Sequence, residues 1–438
     1  MTEGKRRDGV GWWLRRVGIL AALLFLLRWE YPAPGDRTYQ LAYLTAGRQF
    51  DFVGWEIGAL LGKAGQALSP LHCYLPPQSR RQVVLDYLDL VEDIRRTEDE
   101  INRLYADPQV ADPEVASAPL RARLARLRAQ QARVQLLVEA ILEEQVATVL
   151  ADEGFAFLGE IVPPVSFHFT PLPRMLVISP RDEIRQIEAV PLQAGFPVDQ
   201  AAALEAQVDE RLNVSSLVVP IGGLALYPAM TLESTSLPWL VETIAHEWTH
   251  HYLFLRPLGW QYESNPEART INETAANLVG KAIGRKVLER YYPEQVPPSS
   301  PPSPPESPSP TEPPAFNFTL EMRKTRIHVD ELLAEARRLR EAGDEAGAEA
   351  KIEEAEAYME ARRRLFVERG YRIRKLNQAY FAFYGAYADE PLGGAAGANP
   401  VGSVVQALWK RSPSIKNFLD TVAFATSLED LKRALGEG

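Results

Sequence analysis

Long stretches of the chain repeat apolar residues three and four positions apart, which is the spacing of one face of an α-helix. Two of them run from Gln78 to Tyr105 and from Leu120 to Asp152, with the turn-rich segment ADPQVADPEVASAP between them. A second pair follows residue 316 and turns at Ala342-Gly343-Asp344. We therefore expect two helical hairpins with solvated, charge-rich faces. No fixed period relates them, so a solenoid repeat is not indicated.

The pattern changes at Phe155, where short runs rich in Val, Ile, Phe and Pro alternate with turn residues. Such runs are typical of short strands. The segment VDQAAALEAQVDERLN interrupts them with a helical pattern. The next segment, VSSLVVPIGGLALYPAMTLES, predicts a strand, a break at Gly222 and Gly223, and another strand.

Helical periodicity returns at Leu237 and continues to about Leu255. A further helix starts with Asn265 as its N-cap and Pro266 at its first position, which is a favourable start. After the second hairpin, YRIRKLNQAYFAFYGAYA predicts a shorter aromatic helix, and two short helices follow the Gly-rich PLGGAAGANP. The fold class expected is mainly α with a small β-sheet, an α+β fold.

The amino-terminal segment has a different character. An apolar run from Val17 to Leu27 is bracketed by arginines, tryptophans and a tyrosine, as at a membrane interface. No small-residue cleavage signal follows it, so we expect one uncleaved signal-anchor helix over residues 10–31. The basic residues before it predict a cytoplasmic amino terminus and an extracytoplasmic remainder. A cleaved signal peptide and a buried helix of a cytosolic protein are the alternatives.

Composition narrows the choice of partners. The 438-residue chain has a formal net charge of -10, so the basic surface that binds nucleic acid is not expected. The single cysteine, Cys73, excludes an internal disulfide and a zinc site built from cysteines. We expect Cys73 to be a small buried apolar residue.

The segment TIAHEWTHHYL contains three of the six histidines. His246 and His250 are four positions apart, so both rings project from one face of a helix and can share a metal ion. Glu247 is turned about 100° from His246 on the helix, where it can reach a water on that ion. Leu253 and Arg256 occupy the positions where a metzincin has Gly and His, so that class is excluded.

A catalytic metal site needs a third protein ligand and an open position. The next helix provides Glu273 within INETAAN, and a short connection would bring this carboxylate back to the ion. Glu263 and Glu267, in or near the connection, are rival ligands. The neighbouring His251 points elsewhere on the helix, and we expect it at the surface or in a supporting position.

HEWTH followed by NETAAN resembles the gluzincin metallopeptidases, the clan of thermolysin-like and aminopeptidase-like enzymes. The resemblance covers residues 245–277, under a tenth of the chain, and the spacing between the motifs is a few residues longer than in the best-known members. It implies His246, His250 and Glu273 as ligands of one zinc ion and Glu247 as the general base.

The resemblance also suggests supporting residues. Asn277 stands where a thermolysin-like enzyme has an aspartate that supports a ligand histidine, and Asn272 or Glu242 could take that role instead. In such folds an edge strand holds the substrate backbone. The segment with Gly222 and Gly223 is placed for this, although a bulge or hairpin turn explains these glycines equally well.

The transition state also needs a donor to the developing oxyanion, and the aromatic helix near the carboxyl terminus offers tyrosines for it. The candidates are Tyr380, Tyr384, Tyr387 and His328. Tyr384 is preferred because the adjacent Gly385 leaves room for a substrate. Tyrosines at this spacing are more often part of a hydrophobic core.

Two functions follow. The first is a membrane-anchored zinc peptidase, possibly an aminopeptidase, acting on peptides or proteins outside the cytoplasm. The second is a non-catalytic helical scaffold of the cell envelope with a structural or vestigial metal site. Glu247, which a structural site does not need, favours the enzyme. An intramembrane protease is excluded because the motif helix carries Glu242 and Arg256 and lacks a membrane-length apolar run.

These patterns predict six successive segments. They are a cytoplasmic basic tail (1–9), the signal anchor (10–31), a helical hairpin region (32–154), a zincin-like catalytic core (155–293), a Pro/Ser-rich linker (294–316) and a helical lobe that completes the active-site cleft (317–438).

Overall fold

The computed structural model describes residues 16–18, 36–68, 70–106, 110–297, 316–384 and 400–436. The chain forms two compact units, residues 1–46 and 47–438. In the first unit, residues 16–18 are helical, and helix α1 (Arg37–Thr45) starts at Asp36, whose carboxylate accepts a hydrogen bond from a backbone N–H of the helix.

The expected membrane anchor falls largely outside these ranges. The basic tail at 1–9 is not among the described residues, and of the anchor at 10–31 only residues 16–18 are. Within the described ranges, no helix is both long and apolar enough to cross a membrane. Of the linker expected at 294–316, residues 298–315 are likewise not described.

The second unit begins with the helical hairpin expected from the sequence. After α2 (Phe52–Leu68) and a single 3-10 turn (Leu71–Tyr74), α3 (Pro77–Ala106) and α4 (Pro113–Leu150) pack against each other. Helix α4 starts at Asp112, whose side chain accepts a hydrogen bond from a backbone N–H in the first turn. Cys73 lies in the 3-10 turn and is exposed, so the expectation of a buried cysteine was wrong.

Short strands follow, as the sequence predicts. They are β1 (Ala156–Phe157), β2 (Glu160–Ile161), β3 (Phe167–Phe169), β4 (Arg174–Pro180), β5 (Glu188–Leu192), then helix α5 (Val198–Leu212), and β6 (Val214–Pro220), β7 (Gly223–Leu224) and β8 (Ala229–Thr231). One antiparallel sheet has the order β5-β4-β6. Another has the order β3-β8-β7, with β3 parallel and β7 antiparallel to β8. Strand β7 is therefore at a sheet edge.

The motif helix and its partner have the starts that the sequence predicts. Helix α6 (Leu237–Phe254) is capped by Ser236, α7 (Pro257–Trp260) is one short turn, and α8 (Pro266–Tyr291) is capped by Asn265. Helices α6 and α8 approach closely because α8 has glycine at the contact. A Cβ on Gly280 would lie 2.9 Å from the carbonyl oxygen of Glu242 and 3.1 Å from Cβ of His246.

The carboxyl-terminal region is helical. It contains α9 (Phe318–Glu341), α10 (Glu345–Glu368), α11 (Gln378–Tyr384), α12 (Pro400–Arg411), α13 (Ile415–Val422) and α14 (Leu428–Ala434). Helices α9 and α10 form the second expected hairpin, and Gly343 adopts a φ of +83° in its turn. Three short helices end the described chain, so the expectation of two was wrong.

Helix α11 is shorter than the sequence pattern predicts. Residues 371–377 are not helical. The reason is local: Gly370 adopts a φ of +91° after α10, and the side chain of Asn377 accepts a hydrogen bond from the backbone N–H of Tyr380. An asparagine in this position starts a helix and does not continue one.

Two hydrophobic clusters stabilise the second unit. The first joins helices α3, α4, α6, α8 and α12–α14 with strands β3 and β8. The second joins residues of β4 and β6 with helices α9–α11. The predicted class, mainly α with small β-sheets, is confirmed. Trp248 and Thr249 of the motif helix α6 are almost completely buried.

Candidate metal centre

Helices α6 and α8 bring together the three expected ligand side chains. One nitrogen of His246, one of His250 and one carboxylate oxygen of Glu273 all lie within 4.8 Å of one another. The two Nε2 atoms are 3.0 Å apart. Each Nε2 lies 3.7 Å from Oε2 of Glu273.

Two asparagines hold the histidine rings. Oδ1 of Asn272 accepts a hydrogen bond from Nδ1 of His250 at 2.7 Å. The side chain of Asn277 hydrogen-bonds that of His246. The proton on Nδ1 of His250 leaves its Nε2 as a lone pair directed at the other ring. Burial lowers the pKa of His246 well below its ordinary value, with the nearby His250 acting in the same direction. Both effects favour a neutral His246 ring.

One carboxylate oxygen of Glu273, beside the two histidines, lacks a hydrogen-bond partner among the described residues. Its Oε1 accepts a hydrogen bond from the hydroxyl of Tyr262. Its Oε2 is buried and has no hydrogen-bond partner in the part of the chain that the structure describes. A buried carboxylate oxygen without a partner is costly. A cation shared with the two imidazoles would satisfy it, and two nitrogens with one carboxylate oxygen suit zinc. The residues present therefore fit the metal.

Glu247 lies beside this cluster, against the backbone of β7. Its side chain is almost completely buried. A Cβ on Gly223 would lie 2.0 Å from Oε1 of Glu247, so only glycine leaves room for the carboxylate. Burial raises the pKa of Glu247 well above its ordinary value, and the negative charge of Glu273 adds to this shift.

These residues line a cavity of about 670 Å³. Away from the three candidate ligands and Glu247, its walls are largely apolar. The apolar lining comes from β4 and β5, the β7 region, the end of α6 and helix α11, with Met175, Val177, Ala189, Ile221, Leu224, Phe254 and Phe383 among its members. Gly222 is not among the lining residues. It packs behind β7, where a Cβ would lie 3.2 Å from the ring of Trp239.

Sequence reasoning did not single out Tyr262 and Arg269, two polar residues of the cavity wall. Tyr262 lies between α7 and α8, with its ring 5.9 Å from that of His250. The guanidinium of Arg269 stacks 4.8 Å from the ring of Tyr262 and donates to Glu263 at 2.8 Å. The only sequence signal for Tyr262 was a hydroxyl-bearing aromatic residue in the connection between the two motif helices.

Of the two positions expected for His251, surface or supporting, the surface position was wrong, because His251 is buried. Its Nε2 lies 2.6 Å from the carbonyl oxygen of Leu226, and its ring packs against Tyr227 at 5.3 Å. Burial lowers the pKa of His251 to about 4. His251 thus ties helix α6 to the connection between β7 and β8.

The expected oxyanion donors do not line this cavity, as far as they are described. Tyr384 packs 4.6 Å from the ring of Tyr380, at the second hydrophobic cluster. Its neighbour Phe383 reaches the cavity instead. His328 packs on Tyr358, with 4.5 Å between ring centroids. Tyr387, the fourth candidate, lies outside the described residues.

The alternative ligands are engaged elsewhere. Glu263 pairs with Arg269 at the edge of the cavity. The carboxylate of Glu267 accepts a hydrogen bond from the backbone N–H of Leu428 at 2.9 Å. Glu242, expected only as a possible support for a ligand histidine, lies at the crossing of α6 and α8, outside the residues that line the cavity. The ligand cluster contains none of these three glutamates.

Comparison of the chain with models of known protein families, with curated proteins and with solved structures gave no match. The function is therefore inferred from the geometry of this cavity. Two features matter most: the facing nitrogen and oxygen atoms of the two histidines and Glu273, and the buried carboxylate of Glu247 beside them.

Proposed function

We propose that this protein is a zinc-dependent peptidase in which His246, His250 and Glu273 hold one zinc ion within a zincin-like core. The observation that carries the proposal is the buried Oε2 of Glu273, which lies 3.7 Å from both Nε2 atoms and has no hydrogen-bond partner among the described residues. A cation shared with the two histidines would remove the cost of leaving this oxygen unsatisfied. When bound, zinc supplies Lewis-acid chemistry: it lowers the pKa of water and polarises a carbonyl group.

Glu247 is the proposed general base. A carboxylate accepts a proton more readily when burial raises its pKa, and Glu247 is in this state. It would take a proton from the attacking water on one side of the scissile carbonyl. It would then give that proton to the nitrogen of the leaving amine. The carboxylate returns to its starting form, so the proton count balances.

Strand β7 and Tyr262 are proposed to hold the substrate. Strand β7 is at a sheet edge, and its Gly223 borders the cavity next to Glu247. A substrate segment in extended conformation can add to such an edge through backbone hydrogen bonds. The Tyr262 hydroxyl, which donates to Glu273 in this structure, would exchange that acceptor for the carbonyl oxygen of the substrate as negative charge develops there.

The apolar lining of the cavity favours a substrate whose side chains near the cleaved bond are apolar. Its walls away from the ligands and Glu247 are mostly aliphatic and aromatic. An aminopeptidase needs a carboxylate to bind the free amino group of its substrate. Besides Glu247 and Glu273, the described lining offers only Glu263, which pairs with Arg269. We therefore favour internal peptide bonds over amino-terminal ones.

The proposal retains the signal anchor expected at residues 10–31, which would put the peptidase outside the cytoplasm. Protease treatment of intact cells, followed by detection of the carboxyl terminus, tests this part. Loss of the carboxyl terminus without lysis agrees with it. Protection until lysis contradicts the extracytoplasmic location and leaves the chemistry of the site unaffected.

Metal analysis and peptide hydrolysis test the function together. The full-length protein in detergent is expected to contain one zinc ion and to cleave members of a broad peptide library. Glu247→Gln should keep the zinc and lose about 10²–10⁴-fold in rate, the usual contribution of a general base. The matched control is Glu368→Gln, because Glu368 is exposed at the end of α10 and does not line the cavity.

Three outcomes would count against the proposal. Bound zinc with no hydrolysis by the wild type would favour the scaffold function. Equal rates for the wild type and Glu247→Gln would remove Glu247 from the mechanism. Unchanged zinc content in His246→Ala would show that the metal site is assigned to the wrong residues.

A further inference from the structure

Helix α2 has its polar and apolar faces reversed relative to an ordinary surface helix. A surface helix of a water-soluble domain turns its apolar face inward. Helix α2 turns its polar side chains toward the protein and leaves its apolar side chains exposed. Ala59 is its only buried residue among those described. This reversal calls for an apolar environment on the outside.

The inward contacts are specific. Nζ of Lys63 lies 2.7 Å from Glu139 and 2.8 Å from Glu143, two buried glutamates of α4. Nε2 of Gln66 donates to Glu143 at 2.6 Å. Nε1 of Trp55 donates to the hydroxyl of Thr170 at 3.1 Å. These hydrogen bonds and ion pairs fix the rotation of the helix about its axis. The apolar side is therefore held in its exposed position by specific contacts on the opposite side.

The outward side, which we call the α2 face, covers about half of the helix surface. Its large side chains are Val53, Ile57, Leu60, Leu61 and Leu68. The remaining exposed positions are small, namely Gly54, Gly58, Ala64, Gly65 and Ala67. Leu61 is 70% exposed and Leu68 is 88% exposed. Single exposed leucines are normal, but a contiguous apolar patch marks a contact with a partner or a membrane.

The chemistry of the α2 face favours lipid over another protein. Interfaces between proteins carry a hydrogen bond for every 100–200 Å² or so, and their rim is polar. The side chains of the α2 face offer no hydrogen-bonding group and no charge. Glu56 lies at its edge, and burial raises the pKa of this carboxyl group. The exposed Tyr74 follows at the end of the adjoining 3-10 turn, and tyrosine is enriched at membrane interfaces.

We propose that α2 lies in the plane of a membrane surface, with the α2 face at the boundary between headgroups and acyl chains. Helices of this type bind through their buried apolar area. The position of α2 in the chain agrees with this, because the anchor expected from the sequence ends at Tyr31, a short stretch before Phe52. The proposal does not depend on the peptidase function, and it gives the membrane a contact separate from the expected anchor.

The native cysteine makes the test direct. Cys73 is exposed and follows the α2 face in the 3-10 turn. The full-length protein, reconstituted in vesicles of phosphatidylcholine with a minor fraction of phosphatidylglycerol, is labelled with a fluorophore at Cys73. A second sample carries Leu61→Cys in a Cys73→Ser background, and the control carries Glu341→Cys in the same background. Lipids with a nitroxide on the acyl chain should quench the labels at 61 and 73 and leave the label at 341 unaffected.

A pair of charge substitutions completes the design. Ile57→Glu together with Leu61→Glu should reduce the quenching at Cys73 several-fold, because carboxylates on this face would have to leave the apolar region. Leu320→Glu with Val367→Glu, two exposed apolar residues on α9 and α10, is the matched control and should leave the quenching unchanged. All four positions are exposed, so neither pair is expected to unfold the protein.

Two results would overturn the proposal. If the labels at 61 and 341 respond equally to the nitroxide lipids, the α2 face does not contact the membrane. If the unlabelled Leu61→Cys protein forms disulfide-linked dimers and the label on the labelled sample is not quenched by lipid, a second copy of the chain covers this face. Neither result would affect the zinc site, which is tested by metal content.

Discussion

Asn272 accepts a hydrogen bond from His250 at 2.7 Å through its side-chain oxygen. This contact sets the orientation of the ring and leaves Nε2 directed toward His246. Asn272 is also the residue directly before Glu273, so one turn of α8 both orients one expected ligand and supplies another. The strength of the proposed metal site should therefore depend on Asn272.

Replacing Asn272 tests this dependence. Asn272→Ala should lower zinc affinity about 10–100-fold, the usual loss when a hydrogen bond to a ligand histidine is removed. Asn272→Asp should retain or raise the affinity, because a carboxylate is a stronger acceptor. Competition with a fluorescent chelator measures both, with the exposed Asn417→Ala as control. An unchanged affinity in Asn272→Ala would show that the contact does not support the metal.

Tyr262→Phe should reduce the rate of hydrolysis about a hundredfold, as expected for loss of an oxyanion donor. At saturating zinc the metal content should stay constant, because Tyr262 is not a proposed ligand, but the zinc affinity should fall, because Tyr262 donates to the proposed ligand Glu273. The reduction should appear in kcat more than in KM. The expectation drawn from the sequence gives the opposite order, with the large loss in Tyr384→Phe. Steady-state kinetics of the two variants on one peptide decides between these tyrosines.

Gly280 should resist substitution although it lies within a helix. Alanine in a helix interior normally gains about 1 kcal/mol over glycine. Here its Cβ would lie 2.9 Å from a backbone oxygen of α6, so Gly280→Ala should lower the free energy of unfolding by about 1–3 kcal/mol. Gly58→Ala, where nothing lies within 4 Å of the added Cβ, should be neutral or stabilising. Equal effects on thermal unfolding would contradict the tight crossing of α6 and α8.

Lys63 should be essential for docking of α2. Lys63→Met would leave Glu139 and Glu143 buried without their shared cation. Removing one partner of a buried ion pair typically costs about 3–5 kcal/mol. The matched control is Lys351→Met on α10, whose ion pairs are solvent-exposed and should contribute less than about 1 kcal/mol. Urea unfolding of the two variants measures the difference.

Zinc should stabilise the folded protein. A ligand that binds only the folded state adds about 2.7 kcal/mol when its free concentration is a hundred times Kd. Removal of zinc with a chelator should therefore lower the unfolding temperature, and added zinc should restore it. In His250→Ala the unfolding temperature should no longer respond to zinc. A response that persists in this variant would mean that the metal binds elsewhere.

The sequence predicts which three candidate ligands come together because local signals determine the helices that carry them. Ser236 and Asn265 cap α6 and α8, and the four-residue spacing of His246 and His250 places both rings on one face. The positions of these residues on two regular helices then determine which side chains face one another. Asn277 was expected from the resemblance and Asn272 as an alternative to it, and each contacts one of the histidines.

Residues in connections depend on contacts that the sequence does not reveal. Tyr262 is placed by a loop whose shape depends on a hydrogen bond from Leu258 to Ala423 and another from Asn265 to Thr426. On helix α11, neighbouring residues point about 100° apart. Its orientation, which brings Phe383 and not Tyr384 to the cavity, is set by packing on the second hydrophobic cluster. Periodicity alone could not choose between those two residues.

The loop around Tyr262 has a practical consequence for anyone shortening the protein. Ala423, Thr426 and Leu428 hold it and the start of α8 through hydrogen bonds to Leu258, Asn265 and Glu267. A fragment that stops after α11 would retain every proposed zinc ligand and the proposed base. It would still lack the support for the segment that carries Tyr262. The smallest fragment worth expressing therefore extends to the end of α14.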